Sequence, residues 1–207
     1  MSMPQTVMNS KTRDKLKGKD LVTIGIFSAL YFVINFIFML MGGIHPVMWI
    51  LMPGLIALFT GVPYMMLAAK VPKLGAVLIM GFITGLIYFV TGMFTVVILI
   101  TFAAACVVAE AVRLITKYRS FAGNAVSFVI FSVGMIGSPL PVWLFRDSFF
   151  AQIAEQGMSA DYLAVLSSLA SNEMLLVMVL APVVLGVAGA LIAKALFKKH
   201  FAKAGIV

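Results

Sequence analysis

Long apolar stretches recur along the whole chain, and short polar or glycine- and proline-containing stretches separate them. They approach the length of about 20 residues that crosses the hydrocarbon core of a bilayer. A spanning segment must satisfy its own backbone hydrogen bonds, and these stretches are too uniformly apolar for alternating barrel strands, so each predicts a helix. The six predicted helices cover residues 21–42, 47–69, 75–91, 93–116, 122–144 and 173–197.

Composition supports a membrane protein. The 207-residue chain is 63% hydrophobic and 11% charged, with a mean hydropathy of +1.13, and one soluble core of this size cannot enclose so much apolar surface. We therefore predict an all-α integral membrane protein, a six-transmembrane-helix bundle over residues 21–200, with cytoplasmic tails at 1–20 and 201–207. Pro53 and Gly54 in the second helix predict a kink or a partly re-entrant path.

Basic residues lie almost entirely on one side of the predicted bundle. All 15 Lys and Arg residues except Arg146 fall in the two terminal segments or in the second and fourth connections. Because cytoplasmic loops carry such an excess, both termini are expected in the cytoplasm, and the segment 145–172 outside the cell. The net charge of +8 suits anionic lipid, and nucleic acid is not expected as a partner.

Candidate binding residues gather near the expected outer surface. Asn35 and Tyr88 occupy the outer halves of the first and third helices, where a polar group faces a cavity or bonds a neighbouring helix. Other polar and aromatic residues reach the same depth from separate segments. They are His45, Trp49, Trp143, Arg146, Asp147, Asn172 and Glu173. Two interpretations stay open: an aromatic belt with a solvated Arg–Asp pair, or a binding site in which Arg146 holds a carboxylate.

Two further patterns concern the ends of the predicted bundle. Glu110 and Arg113 are three residues apart in the inner half of the fourth helix, a spacing at which a carboxylate and a guanidinium neutralise each other. In the outer segment 159–171, apolar residues recur at helical spacing after Ser159 and Asp161, either of which caps a helix start. This amphipathic helix is interpreted either as a lid over a cavity or as an interfacial anchor.

The chain lacks the residues that several classes of chemistry require. There is no P-loop for a nucleotide, and the single Cys106 excludes a cysteine cluster for zinc or iron–sulfur. His45 and His200 fall on opposite sides of the predicted bundle, and no pair of carboxylates shares a spanning face. We therefore expect no enzyme, no intrinsic cofactor and no metal site. A membrane enzyme or assembly factor acting on a lipid or a quinone stays the alternative.

Three stretches carry a resemblance to a known family. They are KDLVTIGIFSALYFVINF after the basic N-terminal segment, IGSPLPVWLFRDSFF, and the terminal KKHFAKAGIV. Together they resemble the substrate-binding S components of energy-coupling factor (ECF) importers, and within these the Trep-Strep subgroup. The resemblance implies a subunit that captures a scarce micronutrient outside and delivers it inward with a transmembrane coupling (T) component and two ABC ATPases.

The same resemblance implies roles for particular segments. Gly25 and Ala29 occupy the family's small-residue docking pattern on the first helix, with glycine in place of the first alanine. The connections GGIHP, TGMF and 145–172 correspond to its gating loops. The cargo is expected to be a carboxylated or heteroaromatic B-type vitamin, or haem or a related tetrapyrrole. For haem, His45 or Met48 would supply an axial ligand and Arg146 would meet a propionate.

The expected orientation is tested by placing single cysteines at Lys17 and Gly157 in intact cells. A membrane-impermeant thiol reagent should label the cysteine at 157 and spare the one at 17, because the basic asymmetry puts residue 17 inside. If the reagent labels the cysteine at 17 and spares the one at 157, the orientation is the reverse of the expected one.

Overall fold

A computed structural model of the chain describes residues 15–91 and 95–198. Over these ranges the regular structure is entirely helical. The helices are α1 (Gly18–Ile44), α2 (Pro46–Lys70), α3 (Ala76–Val90), α4 (Val96–Ile115), α5 (Phe121–Val133), α6 (Pro141–Leu144), α7 (Arg146–Glu155), α8 (Ala160–Leu169) and α9 (Asn172–Leu196). A 3₁₀ turn, Gly134–Gly137, follows α5. The described residues leave out most of the TGMF connection (92–94) and most of the terminal KKHFAKAGIV (199–207).

Within the part of the chain that the structure describes, four helices are long and apolar enough to cross a membrane, namely α1, α2, α4 and α9. α3 is apolar but shorter, and so is α5 taken together with its 3₁₀ turn. The predicted all-helical membrane architecture is therefore confirmed. Six complete spans and the side on which the termini lie stay predictions.

The central helix is α2, which packs against both α1 and α9. It runs unbroken over Pro46–Lys70 although it contains Pro53 and Pro63, so the partly re-entrant path considered for this segment is not found. The α2–α9 contact is close because a glycine of α9 faces the backbone of α2. A Cβ atom at Gly189 would lie 2.6 Å from the carbonyl oxygen of Ala57, so only glycine fits there.

The stretch 122–144, predicted as one helix, is divided in the structure. α5 is followed by the 3₁₀ turn and then by the single helical turn of α6. Gly134 brings this region against α4, since a Cβ there would lie 2.7 Å from the Cβ of Ala105. Pro139 and Pro141 lack the backbone donors that a continuous helix needs. The break turns the chain into α7 and α8, which lie over one end of the bundle.

A buried ion pair ties α4 to the connection between α2 and α3. Glu110 Oε2 and Arg113 Nη1 are 3.6 Å apart, as their spacing predicted, and both side chains are almost fully buried. The carboxylate of Glu110 accepts hydrogen bonds from the backbone N–H groups of Gly75 (3.0 Å) and Val77 (3.1 Å). These donors lie at the start of α3, where a helix has no internal acceptor for them.

Arg113 binds the backbone carbonyl groups on the other side of the same connection. Its guanidinium donates to the carbonyl oxygens of Ala68 (3.4 Å) and Val71 (3.0 Å) at the end of α2, and to the side chain of Asn124 on α5 (3.2 Å). A second ion pair joins Lys73 to Asp20 of α1 at 2.7 Å. We call this end of the bundle the basic end.

The opposite end, where α6, α7 and α8 lie, is called the cap end. An apolar cluster holds these short helices on the starts of α2 and α9. Its buried members are Ile50, Val142, Phe149, Leu166 and Met178. Phe149 and Leu166 are the buried residues of α7 and α8, so each short helix is attached by one side while its other side is exposed.

The Glu110 carboxylate is tested by Glu110→Gln. This change leaves the buried Arg113 cation without its anion and leaves one acceptor oxygen for the two N–H groups of α3. The free energy of unfolding is expected to fall by about 3–5 kcal/mol, measured by thermal unfolding of the detergent-solubilised protein. Glu155→Gln on the exposed surface of α7 is the matched control, with an expected change within about 0.5 kcal/mol. Equal effects of the two substitutions would contradict the role of the buried pair.

Candidate functional site

A cavity of about 250 Å³ lies at the cap end, between the ends of α1, α2 and α3 and the inner side of α7 and α8. Aromatic rings, thioethers, hydroxyls and amides line it. The lining comprises Met39, Gly42, Gly43, Trp49, Met52, Tyr88, Thr95, Ser138, Phe149, Gln152, Ile153, Gln156, Met158 and Tyr162. No Asp, Glu, Lys, Arg or His occurs in this set, so the described wall of the cavity is neutral.

Trp49, a predicted site residue, forms one wall of this cavity. Its indole is stacked on Phe149 of α7, with ring centroids 5.6 Å apart and an interplanar angle of 9°. Its Nε1–H donates to Ser138 Oγ at 3.3 Å. The close approach of α1 to α2 at Gly42, where a Cβ would lie 3.2 Å from Trp49 Cα, fixes the position of the indole.

Asn35 and Tyr88, predicted to face a cavity or to bond a neighbouring helix, bond each other. The Tyr88 hydroxyl donates to Asn35 Oδ1 at 3.2 Å, and Asn35 Nδ2 donates to the Tyr31 carbonyl oxygen at 3.0 Å. Both side chains are buried. Tyr88 also lines the cavity, whereas Asn35 lies behind it and joins α1 to α3.

Tyr162 of α8 closes the cavity on its outer side. Its hydroxyl donates to the carbonyl oxygen of Gly42 at 2.8 Å, across 120 residues of sequence. Burial raises the pKa of Tyr162 to about 12, so the phenol keeps this donor proton at physiological pH. On the other side of Tyr162 lies a second cavity of about 380 Å³, which includes His45 and Asp161 and shares Gly43 and Met158 with the first. We call the second cavity the vestibule.

Arg146 is exposed and lies outside the lining of both cavities. Its guanidinium donates to Ser167 Oγ (2.8 Å), to the Ser167 carbonyl oxygen (3.1 Å) and to the Ala170 carbonyl oxygen (3.3 Å). These acceptors belong to the end of α8, where the last carbonyl groups of a helix need donors. The arginine therefore fastens α7 to α8 in this structure, and its contact with a carboxylate stays a prediction.

The other predicted site residues lie around the cavity rather than in it. His45 is exposed, caps α2 by accepting from the Val47 N–H at 3.2 Å, and faces the vestibule. Trp143 donates to the Ser171 carbonyl oxygen at 3.0 Å, and Met48 is half-buried; neither lines a cap-end cavity. Three exposed residues occupy the first turns of α7 and α9, where they suit the helix dipole. They are Asp147, Asn172 and Glu173.

Sequence reasoning missed the contribution of α7 to the cavity. Gln152 and Gln156 are four residues apart, a spacing that puts both on the same side of a helix, and both line the cavity. The signal available was this pair of amides, four residues apart, in the predicted outer segment. Ser138 was also missed, although it lies within the SPLPVW stretch that bends the chain toward α6.

The predicted docking residues lie on α1, away from the cavity. Gly25 is half-buried and Ala29 is exposed. A Cβ atom added at Gly25 would meet no atom within 4 Å. The surface of α1 around these two residues is therefore uncovered in the isolated chain.

Apolar helices of spanning length, with a neutral, partly enclosed cavity at one end, define an all-helical integral membrane protein. The family model for a hypothetical bacterial integral membrane protein, Trep_Strep, matches residues 18–203, and the chain belongs to this family. No curated protein and no solved structure matches the chain significantly.

The contact between Tyr162 and Gly42 is tested by Tyr162→Phe. Loss of one hydrogen bond to a buried carbonyl should destabilise the closed position of α8 by about 1 kcal/mol, equivalent to roughly fivefold faster amide exchange in residues 160–169. Hydrogen–deuterium exchange followed by mass spectrometry measures it. Tyr88→Phe is the control, because it removes a buried hydroxyl that joins α3, rather than α8, to α1. Unchanged exchange in Tyr162→Phe, or equal acceleration in both variants, would contradict a specific role of Tyr162.

Proposed function

We propose that this protein is the substrate-binding S component of an ECF-type ABC importer in the bacterial plasma membrane. The observation that carries the proposal is the neutral cavity at the cap end, which α1, α2 and α3 build together with the covering helices α7 and α8. Ligand sites are concave, mostly apolar, and contain a few convergent polar groups. The Trp49, Ser138 and Gln152 side chains provide such groups around an aromatic wall.

The chemistry of the cavity favours a vitamin-like heteroaromatic cargo. Trp49, Phe149 and Tyr88 offer ring faces and edges for stacking, and the amides of Gln152 and Gln156 offer both donors and acceptors for ring nitrogens and carbonyls. A volume of about 250 Å³ lies just below the range of roughly 300–1,000 Å³ typical of drug-sized ligands. It suits one or two fused rings better than the four rings of a tetrapyrrole.

A formal negative charge on the cargo is not required by these contacts. Arg146 donates to α8, and the described wall of the cavity carries no cation. A cargo carboxylate would extend into the vestibule, where His45 is exposed. The ring system is therefore the part of the cargo that the inner cavity recognises.

Transport requires partners that supply energy, because the chain contains no P-loop. We infer that a T component packs on α1 at Gly25 and Ala29 and that two ABC ATPases drive the complex. The support for this surface is the absence of any atom within 4 Å of a Cβ added at Gly25, together with the exposure of Ala29. Small residues let a partner helix approach closely.

The cargo site is tested on the compound that purified protein retains, identified by mass spectrometry and then titrated by isothermal calorimetry. Trp49→Phe should weaken binding by about 1–2 kcal/mol, or roughly fivefold to thirtyfold, because it removes stacking area and the Nε1 donor inside the cavity. Trp143→Phe is the matched control at the same end and should change affinity less than twofold. An equal loss of affinity in both variants, or no loss of affinity in Trp49→Phe, would contradict binding of the cargo in this cavity.

The docking surface is tested with Gly25→Leu and Ala29→Leu. Each should abolish co-purification with the T component and the ATPases while cargo affinity stays within twofold, because the added side chains project away from the cavity. Ile26→Leu, a volume-conserving change at a neighbouring exposed position, is the control. If no coupling subunit or ATPase associates with the unmodified protein and a lipid or quinone is retained instead, the alternative of a membrane enzyme or assembly factor is favoured.

A further inference from the structure

A second polar cavity lies at the basic end, on the opposite side of the bundle from the cargo site. It has a volume of about 480 Å³ and lies between the end of α2, the α4–α5 connection and the end of α9. Its polar and cationic groups come from Tyr118, Arg119 and Asn124. Its aromatic walls are the rings of Phe121 and Phe197. We call it the basic chamber.

An apolar groove continues from the basic chamber along the membrane-facing surface. Phe121 lines both, and the groove of about 220 Å³ then runs between α5 and α9. Its lining is entirely apolar and includes Val126, Ile130, Val187 and Leu191. From Phe121 to Ile130 the rise of about 1.5 Å per residue gives a length of about 13 Å toward the middle of the bundle.

Positive charge is concentrated where the chamber meets the groove. Lys194 Nζ lies 4.9 Å from the centroid of the Phe121 ring, and Arg119 lines the chamber beside the same residue. Both are exposed. The ion pairs of the described ranges involve other residues, since Asp20 pairs with Lys73 and Glu110 with Arg113. Arg119 and Lys194 are therefore available to attract an anion at this end.

The connection that presents Arg119 has an unusual backbone. Lys117 and Tyr118 have φ angles of 57° and 61°, in the left-handed region that costs roughly 1–2 kcal/mol per L-residue. Three contacts hold Tyr118 there: its N–H donates to the Arg113 carbonyl oxygen at 2.8 Å, its carbonyl oxygen accepts from Asn124 Nδ2 at 3.4 Å, and the Arg113 guanidinium lies 5.2 Å from its ring centroid. Such strain persists where surrounding contacts over-determine the geometry, and it concentrates at ligand sites.

We propose that the basic chamber and the α5–α9 groove together bind one anionic glycerophospholipid. Its phosphate lies between Arg119 and Lys194, its glycerol backbone reaches Phe121, and one acyl chain follows the groove between α5 and α9. This occupant matches both halves of the site, because it joins a phosphate anion to an apolar chain at the depth where a lipid places them. A free phosphate would leave the groove empty, and an apolar partner helix would leave the two cations unneutralised.

The site is tested with delipidated full-length protein in detergent. Native mass spectrometry measures binding of phosphatidylglycerol and of phosphatidylethanolamine with identical acyl chains. Phosphatidylglycerol should occupy one site more tightly than phosphatidylethanolamine. Arg119→Gln and Lys194→Gln should each weaken it about fivefold, the effect of roughly one basic residue near an anionic lipid. Lys19→Gln removes the same charge from the exposed start of α1 at the same end and should change affinity less than twofold.

The groove is tested separately with Val126→Trp, which fills it from an exposed position and should weaken binding of phosphatidylglycerol. Thermal unfolding confirms that each variant is folded. Equal binding of the two lipids, or an equal loss in Lys19→Gln and Arg119→Gln, would reduce the proposal to general surface charge. Displacement of phosphatidylglycerol by millimolar inorganic phosphate, with Val126→Trp unaffected, would make the chamber a phosphate site without a lipid chain and would overturn the proposal.

Discussion

The arrangement of the bundle depends on two charges buried on α4 and on the backbone groups that they satisfy. Burying an ion pair costs desolvation energy that attraction between the partners does not always recover. Here the additional hydrogen bonds offset that cost, because Glu110 takes up the first N–H groups of α3 and Arg113 the last carbonyl groups of α2. In an apolar medium, helix ends left without partners would each cost several kcal/mol. The pair therefore fixes how the central helix α2 turns into α3.

The two ends of the molecule are held by contacts of different strength. Two ion pairs hold the basic end, whereas neutral hydrogen bonds, the exposed Arg146 guanidinium and one small apolar cluster hold the cap end. Each neutral bond contributes about 0.5–1.5 kcal/mol net, and α7 and α8 each bury a single residue. Local opening follows the least protected contacts, so the cap end is expected to open more readily than the basic end.

Local patterns predicted the features that depend on neighbours in sequence. Hydropathy gave the apolar helices, and the three-residue spacing gave the Glu110–Arg113 pair. Contacts between distant segments were not predictable, because a helix that is apolar all round does not show which side faces another helix and which faces lipid. Hence the sequence places Asn35 and Tyr88 in the outer halves of their helices as polar residues, but it does not predict the hydrogen bond between them. Arg146 was recognised as isolated among the basic residues, while its acceptors in α8 follow only from the fold of the segment after Pro141.

The distribution of charge separates the two ends chemically as well as mechanically. Apart from Arg146 the basic residues of the described ranges lie toward the basic end, and the cap-end cavity holds only neutral groups in its described wall. A cation in so small and partly enclosed a site would be desolvated and would bind any available anion, including phosphate and the headgroups of anionic lipids. With Arg146 bonded to the carbonyl groups of α8, the cavity presents ring faces and the amides of Gln152 and Gln156. Under the proposed function, these neutral groups would favour an aromatic cargo over simple anions.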